Sequence, residues 1–337
     1  MLKNKSFLNK TNTIIRAMAL TGLLMSASLM SSASAAINMK LSHNHGKDHP
    51  VHKAMQLFAD RAKELSNGDL NIRLYPDASL GNQKDSLEQV QNGAIALAKS
   101  NAAELEAFHP AYGAFNYPYI FKDREHYYKV LQGDIGMEIL NSSKDVGFIG
   151  VAYYDGGARS FYAKKPILSP EDLKGMKVRV QPSPTAVEMV KLLGANPTPL
   201  SYGELYTALQ QGVVDAAENN FTALTLSRHG EVTKFFSLDE HTMIPDILVI
   251  STKVWDKLTP ENQQAIRQAG AESTIKMKEL WTIAENEEFL KADAMGVERV
   301  EVDKKPFQEA VKPMFETLKT SNPDTYNVIE RMRALAE

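Results

Sequence analysis

The chain has 337 residues, 38 Lys+Arg against 41 Asp+Glu, a formal charge of −3, 43% hydrophobic residues and no cysteine. That balance describes a globular protein with nothing to offer a phosphate backbone, so nucleic acid is not an expected partner. It also removes thiolate nucleophiles, Cys-ligated zinc, iron–sulfur clusters and a lipid-bearing cysteine anchor.

Residues 1–36 stand apart. Lys3, Lys5, Lys10 and Arg16 precede an apolar run over 17–30, and Ala33-Ser34-Ala35 is a small-x-small cleavage signature. This is the pattern of a secretory signal peptide cut after Ala35 or Ala36, and the run is shorter than the roughly 20 residues a membrane-spanning helix needs. The expected compartment is the periplasm.

From residue 37 the chain alternates strands and helices. Period-two alternation predicts a strand over 37–41, and Pro50 opens a helical pattern that ends at Asn67-Gly68. A strand over 70–74, a helix over 85–91 and a strand over 93–98 complete a βαβαβ order, which predicts a parallel sheet with covering helices. Further β-rich runs lie at 148–152, 177–181, 213–217 and 247–251. Helix starts are marked at Ser169-Pro170, at the capping box Ser201 to Glu204 and at Thr259-Pro260. The last opens a Pro-free stretch to Ala294, either one helix long enough to brace two lobes or two helices broken near Gly270.

No nucleophile elbow, Walker loop, dinucleotide fingerprint or HExxH zinc motif occurs, so binding is expected rather than catalysis, with no cofactor. One cluster suggests an alternative. His43, His45, His49 and His52 place four imidazoles within ten residues, which would suit a periplasmic metal-binding protein. Their spread over a strand end, a turn and a first helical turn does not converge as an i, i+4 pair would. His43 and His45 also fall at the C-terminal end of the first strand, where open α/β sheets bind ligands.

Pro76-Asp77-Ala78-Ser79-Leu80-Gly81, the segment from Asp172-Leu173-Lys174-Gly175 through Val178-Arg179-Val180, the run from Glu204 to Asp215, and Glu218-Asn219-Asn220 together resemble the DctP-type solute receptors of TRAP transporters. The resemblance implies a two-lobed α/β periplasmic binding protein fold, with hinge strands and a long helix spanning both lobes. Lobe I would take 37–156 and about 245–284, and lobe II 157–244 and about 285–337. It implies capture of an organic acid by lobe closure, and a membrane permease partner of small and large subunits.

The resemblance also implies site residues. Arg179 matches the family arginine that pairs with the ligand carboxylate, a task that suits the planar, always charged guanidinium. Arg159, between Gly156-Gly157 and Ser160, matches a second arginine, and Asn219 matches a cleft amide able both to donate and to accept. Along Glu218, Asn219 and Asn220 a continuing strand would turn one side to the ligand. Tyr202 falls at an aromatic lining position. From the first lobe Asn44, Lys99, Asn101 and Glu104 are expected near the ligand, with His43 and His241. A site so rich in mixed donors and acceptors suits a hexuronate or related sugar acid, and a C4-dicarboxylate or keto acid is the alternative.

Overall fold

The computed structural model describes residues 36–336. The signal-peptide reading of 1–36 lies outside the described residues, Ala36 apart. In chain order the strands are β1 (Ile37–Ser42), β2 (Leu70–Tyr75), β3 (Leu97–Asn101), β4 (Phe148–Tyr154), β5 (Arg159–Ala163), β6 (Lys177–Val180), β7 (Asn196–Pro199), β8 (Ala216–Asn219), β9 (Phe235–Thr242), β10 (Asp246–Ser251) and β11 (Glu298–Val300).

They form two sheets. The first has the order β2-β1-β3-β10-β4 and the second β11-β9-β5-β8-β6-β7. The parallel sheet expected from βαβαβ is realised in β1, β2 and β3. It is corrected beyond them, because β10 runs antiparallel to both β3 and β4, and β5 runs antiparallel to β8 and β9. The cause is the chain path. It leaves the first sheet after β4, builds the second, and returns through β10 from the opposite end.

Local chemistry sets the element ends. Asn82 and Asp85 form a capping box at the helix Gln83–Asn92, and Gly93 closes it with φ +80. That cap moves β3 from the expected 93–98 to Leu97–Asn101. Gly212 likewise caps the helix Leu205–Gln211 in the left-handed region and Val213 is exposed, so β8 begins only at Ala216. Apolar side chains divide into two cores, the alternation along β4 being shifted by an irregularity at Val151. Phe148, Tyr153, Phe161, Val178 and Val180 enter one, and Ile149, Val151, Tyr154 and Tyr162 the other.

The helix Pro260–Ala294 is continuous, with Thr259 capping the amide of Asn262. It packs along the helix Pro50–Leu65 and against β4, and reaches the short helix Thr222–Thr225 of the second sheet's half. Arg61 pairs with Glu272 and Arg124 with Glu285 along its flank. Gly270 is not a break. A Cβ there would stand 2.8 Å from the carbonyl oxygen of Val151, so the glycine lets the helix lie directly on β4. Replacing it by Ala gains about 1 kcal/mol of helix propensity but meets an overpacking cost of about 1–3 kcal/mol against backbone that cannot yield. Gly270→Ala should therefore lower the melting temperature by a few degrees with the fold retained, and an unchanged or raised value would show that this contact has slack.

Candidate functional site

Besides the long helix, which leads from β10 of the first sheet to β11 of the second, the chain passes between the sheets through Asp155 to Ala158 and through Met243 to Pro245. Gly157 has φ +64, and a Cβ on it would stand 2.6 Å from the Trp281 ring. A Cβ on Gly156 would stand 2.6 Å from the carbonyl oxygen of Ile244. The two passages are thus packed side by side on the long helix in a geometry only glycine permits. Gly156 lines the cleft, and the close approach that the two glycines allow is to Trp281 and Ile244.

Next to the passages a narrow cleft opens between the strand ends of the two sheets. Asn44, His45, Gln83, Lys99, Asn101 and Asp246 line it from the first sheet, and Arg159, Gln181, Tyr202, Asn219, Asn220 and Thr222 from the second. This is where parallel α/β units place ligands, because strand carboxyl ends and the loops after them converge there. His49 and Thr222 meet across it at 3.4 Å, and His45 meets Tyr202 edge-on at 6.3 Å between ring centroids.

Arg159 opens β5 and is 6% exposed. Its Nε donates to Glu218 Oε2 (2.6 Å), Nη1 to Asn219 Oδ1 (2.7 Å) and Nη2 to the Glu218 carbonyl (2.8 Å). Three of its five N–H groups are engaged, which fixes the fork while leaving donors over. Glu218 is held by His241 at 3.4 Å, and His241 by Asp239 at 2.7 Å. Burial alone would raise the Glu218 carboxyl, but the Arg159 charge and the His241 hydrogen bond bring it down to about 2. Burial likewise works against charge on His241, and the attraction and hydrogen bond of Asp239 outweigh it, pushing the imidazole up to about 9.

Arg179 is 1% exposed, on the face of β6 opposite Val178 and Val180. Its strand is not an edge, since β7 and β8 flank it. Nε and Nη2 donate to the Leu200 carbonyl at 3.0 and 2.7 Å, whereas Nη1 is buried with no protein partner among the described residues. Burial pulls its pKa down, with Glu218 opposing that shift. The guanidinium lies 6.0 Å from the centre of the Tyr202 ring, immediately behind the lining. A buried cation with an idle donor is costly unless something binds it.

On the first-sheet side Lys99, 1% exposed, donates to Asp246 Oδ1 at 2.9 Å. Burial lowers its pKa and Asp246 resists. Burial raises the Glu104 carboxyl, which accepts from Gln83 at 3.4 Å. The histidine cluster does not converge on a point. His45 stacks on His49 at 3.7 Å, His43 bonds His52 at 3.0 Å, and burial keeps His43, His45 and His49 neutral, His43 at about 3. Among the described residues no group of three or more His, Asp or Glu side chains is arranged to hold a metal ion.

The structure therefore brings Arg159, Asn219, Asn101, Lys99, Asn44 and Tyr202 together as lining residues. Arg179, Glu104, His43 and His241 stand behind that lining. The expected alternation over 218–220 stops at Asn219, where β8 ends, so Asn219 and Asn220 both face the cleft. Sequence reasoning missed Gln83, Gln181, Thr222, Ile244 and Asp246. Gln181 carried a signal in standing two positions after Arg179, and Asp246 as a lone acid opening an otherwise apolar strand. A wider groove on the other side of the passages, lined by Tyr119, Thr242, Met243 and Lys304 among others, is less suited to an anion, because its arginines Arg124 and Arg333 are tied to Glu285 and Glu330.

Two sheets joined by paired crossings, with buried arginines at a cleft between them, define a receptor that encloses a small anion. The chain belongs to bacterial extracellular solute-binding protein family 7, DctP, whose model matches residues 41–321. It is similar to a TRAP periplasmic solute-binding protein of Xanthobacter autotrophicus solved with bound β-D-galacturonate, at 40% identity and TM-score 0.85 over 88% of this chain and 99% of that one. A counterpart from Anaerococcus prevotii with bound D-glucuronate is 37% identical, with TM-score 0.85 over 88% and 98%. The 2,3-diketo-L-gulonate-binding periplasmic protein YiaO of Escherichia coli is 30% identical over 90% of this chain and 92% of its own length.

The His241 network predicts a pH signature. With His241 at about 9 against 6.5 in an unfolded chain, its contribution to stability is complete below pH 6.5 and is lost as pH rises through 9. Thermal melts of the wild type and His241→Gln should differ most at pH 6.5 and converge above pH 9. A difference independent of pH over that range would show that His241 is not charged in the folded protein.

Proposed function

We propose that this protein is the periplasmic receptor of a TRAP transporter, that it captures a hexuronate or related sugar acid, and that it delivers the ligand to a membrane permease without chemical change. Arg179 carries the reading, because a fully buried guanidinium with an unpartnered Nη1 immediately behind the lining of a polar cleft lacks one thing, an anion. Free donors on Arg159 supply the second point of attachment, so that a carboxylate bridges the two guanidiniums. Asn219, Asn220, Gln181, Asn101, Gln83 and Asn44 then offer neutral donors and acceptors matched to hydroxyls. Relatives solved with galacturonate and glucuronate support that ligand class.

Capture proceeds by closure of two lobes, 37–156 with about 245–284 and 157–244 with about 285–337, about the passages at 155–158 and 243–245. Contacts between the halves, His49 with Thr222 and Glu106 with Ser183 and Thr185, hold the closed form. A ligand touching both sheets stabilises that state through contacts the open state lacks. The leader at 1–36 directs export and is removed near Ala35 or Ala36. A keto acid, as in the name of the Escherichia coli relative, or a C4-dicarboxylate is the second reading.

Calorimetric titration tests the assignment. Galacturonate or glucuronate should bind the wild type, and Arg179→Ala should lose about two to three and a half decades of affinity, since breaking a buried ion pair costs about 3–5 kcal/mol at 1.4 kcal/mol per decade. Arg179→Lys should fail as well, lacking the fork. Binding by Arg179→Ala within threefold of the wild type would remove Arg179 from the site, and tighter binding of a keto acid or succinate would transfer the assignment to the second reading.

A further inference from the structure

The lining of the cleft contains two cations, one from each sheet, and each is tied to a carboxylate: Arg159 to Glu218 at 2.6 Å and Lys99 to Asp246 at 2.9 Å. Behind the lining, the charge of His241 is met by Asp239 at 2.7 Å. His43, His45 and His49 are neutral, and Glu104 adds no positive charge in either protonation state. At most one uncompensated positive charge remains, that of Arg179. One singly charged acid balances it, and a second carboxylate would enter a desolvated cleft with no cation to receive it.

Among the described residues Lys99 is the cation that the first sheet contributes to the lining, and it is fully committed. An ammonium has three N–H donors. Lys99 Nζ has three acceptors, Asp246 Oδ1 at 2.9 Å, His45 Nε2 at 3.0 Å and Gln83 Oε1 at 3.3 Å. The backbone of Asp246 is fixed, because it is the first residue of β10, in register between Asn101 of β3 and Tyr154 of β4, and its carboxylate is oriented by the Lys99 bond. Its second oxygen lies 3.4 Å from His45 Nε2, which carries no proton to offer it while it accepts from Lys99, and that ring is held in place by stacking on His49.

We propose that Asp246 sets the charge of the accepted ligand: by occupying Lys99 and presenting its own carboxylate to the same end of the cleft, it restricts the receptor to singly charged organic acids and rejects dianions of the same carbon skeleton. This rests on the reading above that the arginines hold a ligand carboxylate, and it adds a like-charge barrier as the device that discriminates.

Gluconate and glucarate make the test, being six-carbon polyol acids that differ by one terminal carboxylate in place of a hydroxymethyl group. In calorimetric titrations of the leaderless protein, gluconate should bind at least tenfold more tightly than glucarate, and glucuronate likewise more tightly than glucarate. Asp246→Asn keeps the volume and frees the Lys99 charge, so it should shrink that ratio at least tenfold. The double variant Lys99→Met with Asp246→Leu removes the barrier and the cation together, so its preference for gluconate should fall below that of the wild type and stay above that of Asp246→Asn, and an undiminished preference would overturn the role given to Asp246. Glucarate binding the wild type as tightly as gluconate overturns the proposal without recourse to any variant. So does a folded Asp246→Asn, checked by circular dichroism, with an unchanged ratio. Pyruvate and succinate in the same panel separate this from the ligand reading. Capture of pyruvate over succinate with no sugar acid bound removes the sugar-acid ligand and keeps the charge rule, whereas capture of succinate over pyruvate removes the rule.

Discussion

The ion pair between Arg159 and Glu218 is the constraint on which the cleft depends. Its two members sit on neighbouring antiparallel strands, with Ser160 opposite Asn219 and Phe161 opposite Glu218 in register, so strand pairing alone brings guanidinium and carboxylate together. Both are buried, where an unpaired charge would be prohibitive and a pair survives only if its remaining donors and acceptors are met. Asp239, His241, Glu218, Arg159 and Asn219 form one continuous chain of hydrogen bonds that meets them. A guanidinium fixed in this way presents its unused donors at a set angle, which is what recognition of a planar carboxylate requires.

The same chain of bonds ties the site to the passages between the sheets. Arg159 follows Ala158 directly, and His241 precedes Met243 by two residues, so a member of the network lies beside each passage. Trp281 of the long helix lies beneath Gly157, and its indole packs on Phe221, next to the helix that carries Thr222. Any rotation of one half against the other must therefore move residues bonded to the cleft or packed on this helix. Binding and rearrangement share their atoms, a sufficient physical basis for closure coupled to ligand capture.

Much of this was legible in the sequence where local rules decide structure. Period two over 37–41, Pro50 at a helix start, and the Pro-free run after Pro260 gave elements in place, and the wording around Arg159, Asn219 and Arg179 singled out two residues that line the cleft and one that stands behind the lining. Other parts were not legible, because distant partners decide them. β5 is buried at every position and shows no alternation, and β10 reads as an ordinary apolar strand whose antiparallel place between β3 and β4 follows only from the chain's excursion through the second sheet. The burial of Arg179 depends on β7, a strand containing two prolines that no periodicity reveals. Asp246 and Lys99 lie 147 residues apart, and nothing short of the fold joins them.

The central claim is that two buried guanidiniums of the second sheet receive the carboxylate while the first sheet reads the hydroxyls. A crystal structure of the leaderless protein with galacturonate tests it most directly. The account predicts the carboxylate within hydrogen-bond distance of Arg159 and of Nη1 of Arg179, with the Lys99–Asp246 pair intact and the ring hydroxyls on Asn101, Gln83 and neighbouring side chains. A carboxylate seated on Lys99, or a ligand bound in the groove beside Tyr119 and Lys304, would contradict it.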